Sequence, residues 1–259
     1  MLARRSVPWL LLYRLGIVIG LLSVWEAAQA VPLGNPSLLP RPSVVGAQAW
    51  TMATDGTLFT NTAQSIGRII SGWGIAIVLG VPTGIAMGSW RAAEDTVGTI
   101  VHLLRPISPV AWIPFAILLF GFGVGGPMFI VFLAAFYPIV LASAAAVREV
   151  ETVQISAVRT LGAGEAAIFR EVILPGSLPG VLLGVRIALG NAWAAVVAAE
   201  LFGAQGGLGY LISKSVAFVD LRNVMVGIVL IGLTGFVLDA IYVVVMDRWL
   251  SWMPRREVD

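Results

Sequence analysis

Six long apolar segments dominate this chain and restrict it to a membrane-embedded fold. A helix needs roughly 20 apolar residues to cross the hydrocarbon core of a bilayer. Hydrophobic residues make up 58% of the 259 residues and charged residues only 12%, too apolar a composition for a soluble domain. We therefore predict an all-α polytopic membrane protein with about six transmembrane helices. The segments lie at about 10–30, 59–88, 99–120, 127–147, 179–202 and 223–246.

The distribution of basic residues predicts how these helices are oriented. Three basic residues, Arg41, Lys214 and Arg222, lie on one side of the predicted membrane, and arginines predominate on the other. Because basic residues concentrate in cytoplasmic loops, we expect both termini and the segment 148–176 to be cytoplasmic. The arginines on that side are Arg4, Arg5, Arg14, Arg91, Arg148, Arg159, Arg170, Arg248, Arg255 and Arg256.

The first apolar segment has a second interpretation. Basic N-terminal residues precede an apolar run that ends in Ala28-Gln29-Ala30, a pattern similar to a signal peptide with its cleavage site. The run is longer than an ordinary signal core and contains Arg14. We therefore expect it to be retained as a membrane helix. Cleavage would remove this one helix and leave the remaining topology unchanged.

Glycine and proline spacing predicts how the helices pack. In the third apolar segment, Pro106, Pro109 and Pro114 are expected to break the helix. Before the second segment, Ser43 is the expected N-cap of a short helix over 44–53. Glycines four residues apart let neighbouring helices approach closely. They are Gly80, Gly84 and Gly88 in one segment and Gly176, Gly180 and Gly184 in another.

Composition and motif context exclude several chemistries. The chain has no cysteine and one histidine, so disulfides and the common metal sites are not expected. Residues 121–126 match G-x-G-x-x-G but follow no predicted strand, and Lys214-Ser215 lacks the glycine of a P-loop. A net charge of +2 in so apolar a chain gives no basis for nucleic-acid binding. We predict no catalytic residues, no metal site and no cofactor held by this chain, with membrane lipid as its surroundings.

One polar interruption, Val147–Gly176, separates the fourth and fifth apolar segments. It carries three arginines and four glutamates. The pattern predicts two short helices, Ile155–Leu161 and Glu165–Ile173, which are joined by a glycine turn and ended by Leu174-Pro175. Two such helices form a knob suited to a pocket on a partner protein. Apolar residues of the second helix expected to be exposed are Ile168, Phe169 and Val172.

The same segment resembles the cytoplasmic motif E-A-A-x3-G-x9-I-x-L-P of ABC importer permeases. With the motif glycine at Gly162, it aligns with Ser156-Ala157-Val158 and with Leu174-Pro175, and Val172 takes the isoleucine position. Serine replaces the motif glutamate. Further strings resemble the nitrate/sulfonate/taurine branch, and together they cover about residues 59–252. These are Thr160-Leu161-Gly162-Ala163, Val172-Ile173-Leu174-Pro175, Leu178-Pro179-Gly180, Gly184-Val185-Arg186, Ala198-Ala199-Glu200, Gly206-Gly207-Leu208-Gly209-Tyr210 and Trp249-Leu250-Ser251-Trp252.

This resemblance implies a type I ABC importer permease architecture. It divides the chain into an N-terminal transmembrane helix with an outer connection (1–58), a core permease domain (59–252) and a cytoplasmic tail (253–259). Within the core, 148–176 would be a coupling segment that docks onto a separate ATPase subunit. The residues expected to make this contact are Ser156, Ala157, Val158, Arg159, Thr160, Leu161, Gly162, Ala163, Glu165, Phe169, Val172, Leu174 and Pro175.

The resemblance also implies partners and a substrate class. Two ATPase subunits would bind ATP and Mg²⁺, a second copy of the chain would complete the pathway, and a periplasmic or lipid-anchored binding protein would deliver substrate. The chain would be a non-enzymatic transport subunit of the bacterial inner membrane. A small anion is expected, with sulfonate or taurine ahead of nitrate or bicarbonate. Importers of a thiamine precursor or an aromatic acid, and an ion-coupled secondary transporter, are the alternatives.

Polar residues within the predicted helices are candidate functional groups, because charge is costly in hydrocarbon. Arg186 and Asp239 are predicted to form an ion pair between the fifth and sixth helices, as a structural clamp in preference to a substrate ligand. Arg68 would either line the translocation path or pair with Glu200. Three further candidates, for the path or for helix packing, are Trp112, Asn191 and Trp193.

Overall fold

The structure is a computed structural model that describes residues 7–28 and 40–250, and every regular element in these ranges is a helix. The predicted all-α class is confirmed. The expected cleavage site falls largely outside the described residues, as does the tail. The helices are α1 (Val7–Ala28), α2 (Pro42–Thr54), α3 (Thr57–Ser89), α4 (Arg91–Leu104), α5 (Pro109–Phe120), α6 (Gly125–Arg148), α7 (Thr152–Thr160), α8 (Glu165–Gly203), α9 (Leu208–Ala217) and α10 (Leu221–Trp249).

Four of these helices, α3, α6, α8 and α10, are long and apolar enough to cross a membrane. They match the second, fourth, fifth and sixth predicted segments. Helices α4 and α5 together form a further candidate span, but they are bent by 82° relative to each other. The third segment therefore starts earlier than predicted and is broken at 105–108, where Pro106 ends one half and Pro109 begins the next. Helix α1 covers the first predicted segment.

Helix α6 lies at the centre of the bundle, between α3 and α8. Small residues allow both neighbours to approach it closely. A Cβ atom added at Gly84 of α3 would come within 2.6 Å of Ser143 Cβ, and one added at Gly184 of α8 would overlap Ala142. The predicted close packing at glycines four residues apart is therefore confirmed. It produces a core that includes Ile139, which is fully buried.

Helix α8 runs without interruption from Glu165 to Gly203, so the prediction that Leu174-Pro175 ends a helix is wrong. A π-helical turn over Phe169–Ile173 precedes the proline, and the Leu174 N–H bonds the carbonyl of Phe169. In a regular α-helix a proline removes one hydrogen bond and clashes with the carbonyl four residues earlier. The wider π turn accommodates both effects. The polar segment and the fifth span thus form one helix.

The start of α2 also differs from the sequence prediction. Arg41 occupies the N-cap position, and Ser43 lies inside the first turn. The backbone N–H and hydroxyl of Ser43 donate to the Glu26 carboxylate at 3.2 and 3.0 Å. A carboxylate at a helix N-terminus satisfies backbone donors and complements the helix dipole. Helix α1 therefore supplies the cap that was expected from α2 itself.

The α3–α6 contact generates a prediction. Gly84→Ala places a methyl group against the Val140 carbonyl and Ser143, and overpacking of this kind costs about 1–3 kcal/mol. Gly67→Ala is the matched control, since no atom lies within 4 Å of its added Cβ on the same helix. We expect Gly84→Ala to lower the melting temperature in detergent micelles and Gly67→Ala to leave it unchanged or raise it. Equal melting of the two variants would contradict the packing assignment.

Candidate coupling surface and intramembrane polar sites

Helix α7 and the turn after it form the most exposed part of the polar segment. Val153 is 74% exposed and Leu161 is 86% exposed, although both are large apolar side chains. Ile155 and Val158 are half-buried beneath them. We call the solvent-facing side of this element the α7 surface. It consists of Val153, Ser156, Ala157, Arg159, Thr160, Leu161 and Gly162.

The C-terminal turn of α7 has a defined shape that depends on glycine. Gly162 adopts φ +87°, a left-handed backbone conformation that residues with a side chain rarely adopt. Its N–H bonds the Arg159 carbonyl at 3.0 Å, and the Ala163 N–H bonds the Val158 carbonyl at 3.3 Å. This pair of bonds is the Schellman motif that closes many helices. Arg159 also forms a salt bridge with Glu165 at 2.7 Å, which links α7 to α8 across the turn.

The base of the segment packs against the membrane core of the same chain. Ile168 is 1% exposed, and Phe169 stacks on Trp90 with ring centroids 6.0 Å apart. The prediction that Ile168 and Phe169 are exposed is therefore wrong, because the start of α8 anchors the segment to the end of α3. Of the residues expected at a partner interface, Val172, Leu174 and Pro175 are also half-buried here.

A charged cluster supports this end of the bundle. Glu94 of α4 forms a salt bridge with Arg148 at the end of α6, 2.6 Å apart. Arg148 also donates to the Met87 carbonyl at 3.2 Å. These contacts join α3, α4 and α6 directly beside the polar segment. The end of α6, where the polar segment begins, is thereby tied to α3 and α4.

At the opposite end of α8, Glu200 is buried in a dense hydrogen-bond network. Its carboxylate accepts from Arg68 at 2.6 Å, from the Ser65 hydroxyl at 2.8 and 2.9 Å, and from the Gly209 N–H at 2.9 Å. Arg68 also donates to the Gly206 carbonyl at 2.5 Å. Arg68 is only 5% exposed and Glu200 only 1%. Of the two roles considered for Arg68, the structure therefore shows pairing with Glu200.

The same network holds the glycine-rich loop between α8 and α9. The Leu208 N–H donates to Ser65 at 2.9 Å, and the Gly207 N–H donates to Asn61 at 3.0 Å. Gly207 has φ +105°, and a Cβ there would overlap the Glu200 carboxylate. Sequence reasoning singled out the loop and Glu200 but missed Ser65 and Asn61. The available signal was their spacing: Ser65 and Asn61 lie three and seven residues before Arg68, on the same face of α3.

Arg186 of α8 and Asp239 of α10 form the predicted ion pair. Two parallel hydrogen bonds of 2.8 Å join the guanidinium to the carboxylate. The bidentate geometry gives both strength and orientation. Trp193 lies beside them in a cavity of about 380 Å³ between the two helices. The pair joins α10 to α8, as expected for a structural clamp between these two helices.

The remaining path candidates lie in different places. Asn191 lines a cleft of about 610 Å³ together with Tyr137 and Arg105, whereas Trp193 faces α10 on another side of α8. Trp112 contacts Phe115 edge-on and packs on the apolar cluster of α5, α6 and α8. Sequence reasoning missed Arg105. The sequence feature that could have identified Arg105 is a charged residue directly before Pro106 inside an apolar segment.

Comparisons with known proteins identify the family. Residues 76–251 match the family described as "Binding-protein-dependent transport system inner membrane component". The chain is 35% identical over 243 residues to the taurine transport system permease protein TauC of Escherichia coli, covering 92% of this chain and 88% of the relative. It is 30% identical over 197 residues to the bicarbonate transport system permease protein CmpB of Synechococcus elongatus, covering 76% and 70%.

This chain belongs to the ABC importer permeases of the nitrate/sulfonate/taurine family, as a multi-pass protein of the inner membrane. A solved structure of the MetNI methionine ABC transporter, in an inward-facing conformation, has the same fold, with a TM-score of 0.59. That similarity covers 74% of this chain and 98% of the solved chain at 22% identity. The predicted family, type I architecture and membrane location are confirmed.

The Glu200 network generates a second prediction. Glu200→Ala leaves the Arg68 guanidinium buried without its carboxylate, and breaking a buried pair in this way costs about 3–5 kcal/mol. We expect a large loss of stability against heat or denaturant in micelles. Glu165→Ala removes one partner of an exposed pair and serves as the control, with a much smaller change expected. Similar losses in both variants would contradict a structural role for the buried network.

Proposed function

We propose that this chain is the permease of an ATP-driven importer for a small anion, with a sulfonate such as taurine as the favoured substrate. The observation that carries the proposal is the similarity to TauC, which is higher in identity and in coverage than the similarity to CmpB. Both names denote transport of compounds with an anionic group. Nitrate and bicarbonate are the next candidates.

The proposed assembly contains two copies of this chain and two separate ATPase subunits that bind ATP and Mg²⁺. A periplasmic or lipid-anchored binding protein delivers the substrate, and the chain itself hydrolyses nothing. The α7 surface is the docking site for the ATPase. Its exposed Leu161 and Val153 have no packing role within the described residues, and they are suited to a pocket on a partner.

In this proposal α8 transmits the movement. It is one helix of 39 residues that begins beside the α7 surface and ends at Glu200 and Gly203. At 1.5 Å per residue it is about 58 Å long, enough to connect a cytoplasmic partner with the far side of the bilayer. Between these ends it carries Arg186 and Asn191. An ATPase that binds the α7 surface differently before and after nucleotide closure would shift the whole helix.

Reconstitution tests the proposed substrate and energy source. The chain is placed in proteoliposomes with its ATPase subunit and binding protein, and radiolabelled taurine, nitrate and bicarbonate are compared. We expect uptake of taurine that requires ATP hydrolysis and exceeds uptake of the other two at equal concentration. Omission of the ATPase is the control. Uptake of equal rate without the ATPase would contradict the proposal and favour a secondary transporter.

Two substitutions at Gly162 test the coupling role. Gly162→Val forces a β-branched residue into the left-handed region, where an ordinary residue already costs about 1–2 kcal/mol, so the Schellman turn should open. Gly162→Asn is the matched control, since asparagine visits this region more readily and no atom lies within 4 Å of the added Cβ.

With both variants at equal membrane levels, we expect Gly162→Val to lose most ATP-driven uptake and most co-purifying ATPase. Gly162→Asn should retain the larger part of both. Normal uptake by Gly162→Val would remove the coupling assignment from this turn.

A further inference from the structure

We propose that the cleft formed by Arg105, Tyr137 and Asn191 is an anion-binding site inside the membrane, where this permease selects its substrate after the binding protein has released it. The inference rests on the proposed function for the identity of the anion. It assigns a recognition role to Arg105, a residue that the sequence pattern did not single out.

The cleft lies at the middle depth of the bilayer. Tyr137 is near the midpoint of α6, which spans Gly125–Arg148, and Asn191 is near the midpoint of the apolar part of α8. Arg105 faces them from the break between α4 and α5. A guanidinium at this depth is too far from either interface to be explained as anchoring to lipid headgroups. Charged groups at such positions mark substrate or ion pathways.

The backbone of the break supports a water-accessible cleft. Residues 105–108 are non-helical, and the side chains of all four are exposed. Non-helical backbone at membrane depth is tolerated only where it is buried in protein or lines a water-filled cavity. Of these four residues Arg105 lines the cleft, together with Pro109 and Val110 at the start of α5. The cleft measures about 610 Å³, which leaves room for a small anion and its remaining water.

The charge balance of the cleft distinguishes Arg105 from the other intramembrane arginines. Arg68 is matched by Glu200 and Arg186 by Asp239. None of the ion pairs between described residues includes Arg105, and no carboxylate lines the cleft. This cation therefore has no internal counterion in the described part of the chain. An anionic substrate would supply one.

The donors and walls of the cleft match a small organic sulfonate. A guanidinium offers paired N–H donors to two oxygens of one anionic group. The Asn191 amide and the Tyr137 hydroxyl add further donors from the opposite wall. Val110, Leu133 and other apolar side chains complete the lining and are suited to a short alkyl chain.

The absence of cysteine from the sequence allows a direct test. Asn191→Cys, in the full chain in lipid nanodiscs, is treated with two methanethiosulfonate reagents, one bearing a sulfonate and one a trimethylammonium group. Each rate is divided by the rate of the same reagent with a free thiol. If Arg105 concentrates anions, the normalised ratio favours the sulfonate reagent. A unit charge about 6 Å away in water predicts a preference of about tenfold.

Adding Arg105→Gln should remove this preference, and adding Arg105→Lys should retain most of it. Thr51→Cys on the exposed face of α2 is the matched control, and its ratio should not respond to Arg105→Gln. Ile139→Cys, at a fully buried position, should react with neither reagent. A cleft closed to water would leave Asn191→Cys unreactive, and a counterion from a second copy would leave the ratio unchanged by Arg105→Gln. Either result overturns the inference.

The labelling ratio needs no transport, so its outcome is separable from that of the proposed function. If the reconstituted complex does not take up taurine but the ratio depends on Arg105, the site stands and the substrate assignment fails. If ATP-driven taurine uptake is normal in Arg105→Gln and the ratio is unaffected, the site fails and the permease assignment stands. If both proposals are correct, Arg105→Gln should raise the KM for taurine at least tenfold, and Arg105→Lys should have a smaller effect.

Discussion

Close packing of α3 and α8 against α6 is the interaction on which the rest of the structure depends. In lipid, helices gain little from burying apolar surface against one another, so association relies on close van der Waals contact. Gly84 and Gly184 remove the side chains that would keep the backbones apart. Because the three helices are held this closely, side chains from separate segments meet. The buried Arg68–Glu200 pair joins α3 to α8, and the mid-membrane cleft is lined by α6 and α8, so both depend on that framework.

The treatment of charge within the framework separates structural from functional residues. Arg68 and Arg186 each have a carboxylate partner on a neighbouring helix, and each pair joins two elements. Arg105 faces a cavity instead. The cost of an isolated charge in hydrocarbon makes this difference informative, since an arginine without a partner at that depth needs water or a ligand. The intramembrane polar residues therefore have different roles, although they appear alike as interruptions of apolar sequence.

Much of the site could be inferred from residue patterns, and the failures have physical causes. The Arg186–Asp239 pair was predictable because both residues lie at similar depths on adjacent spans. The continuation of α8 through Pro175 was not, because a π turn offsets the lost hydrogen bond and leaves no distinct sequence mark. The exposure of Ile168 was also mispredicted. Its burial depends on how the polar segment folds back against the core, which helical periodicity does not report.

The sequence by itself determined the class of protein, the approximate positions of the membrane helices and the glycine turn at Gly162, since apolar length, charge asymmetry and glycine spacing are local properties. Only the tertiary structure decided that Arg68 is closed off by Glu200, that Asn191 and Trp193 face different cavities, and that Arg105 reaches the middle of the bundle. These outcomes depend on an 82° bend and on helix rotation. Both are set by packing between segments far apart in the chain, where no short sequence pattern records them.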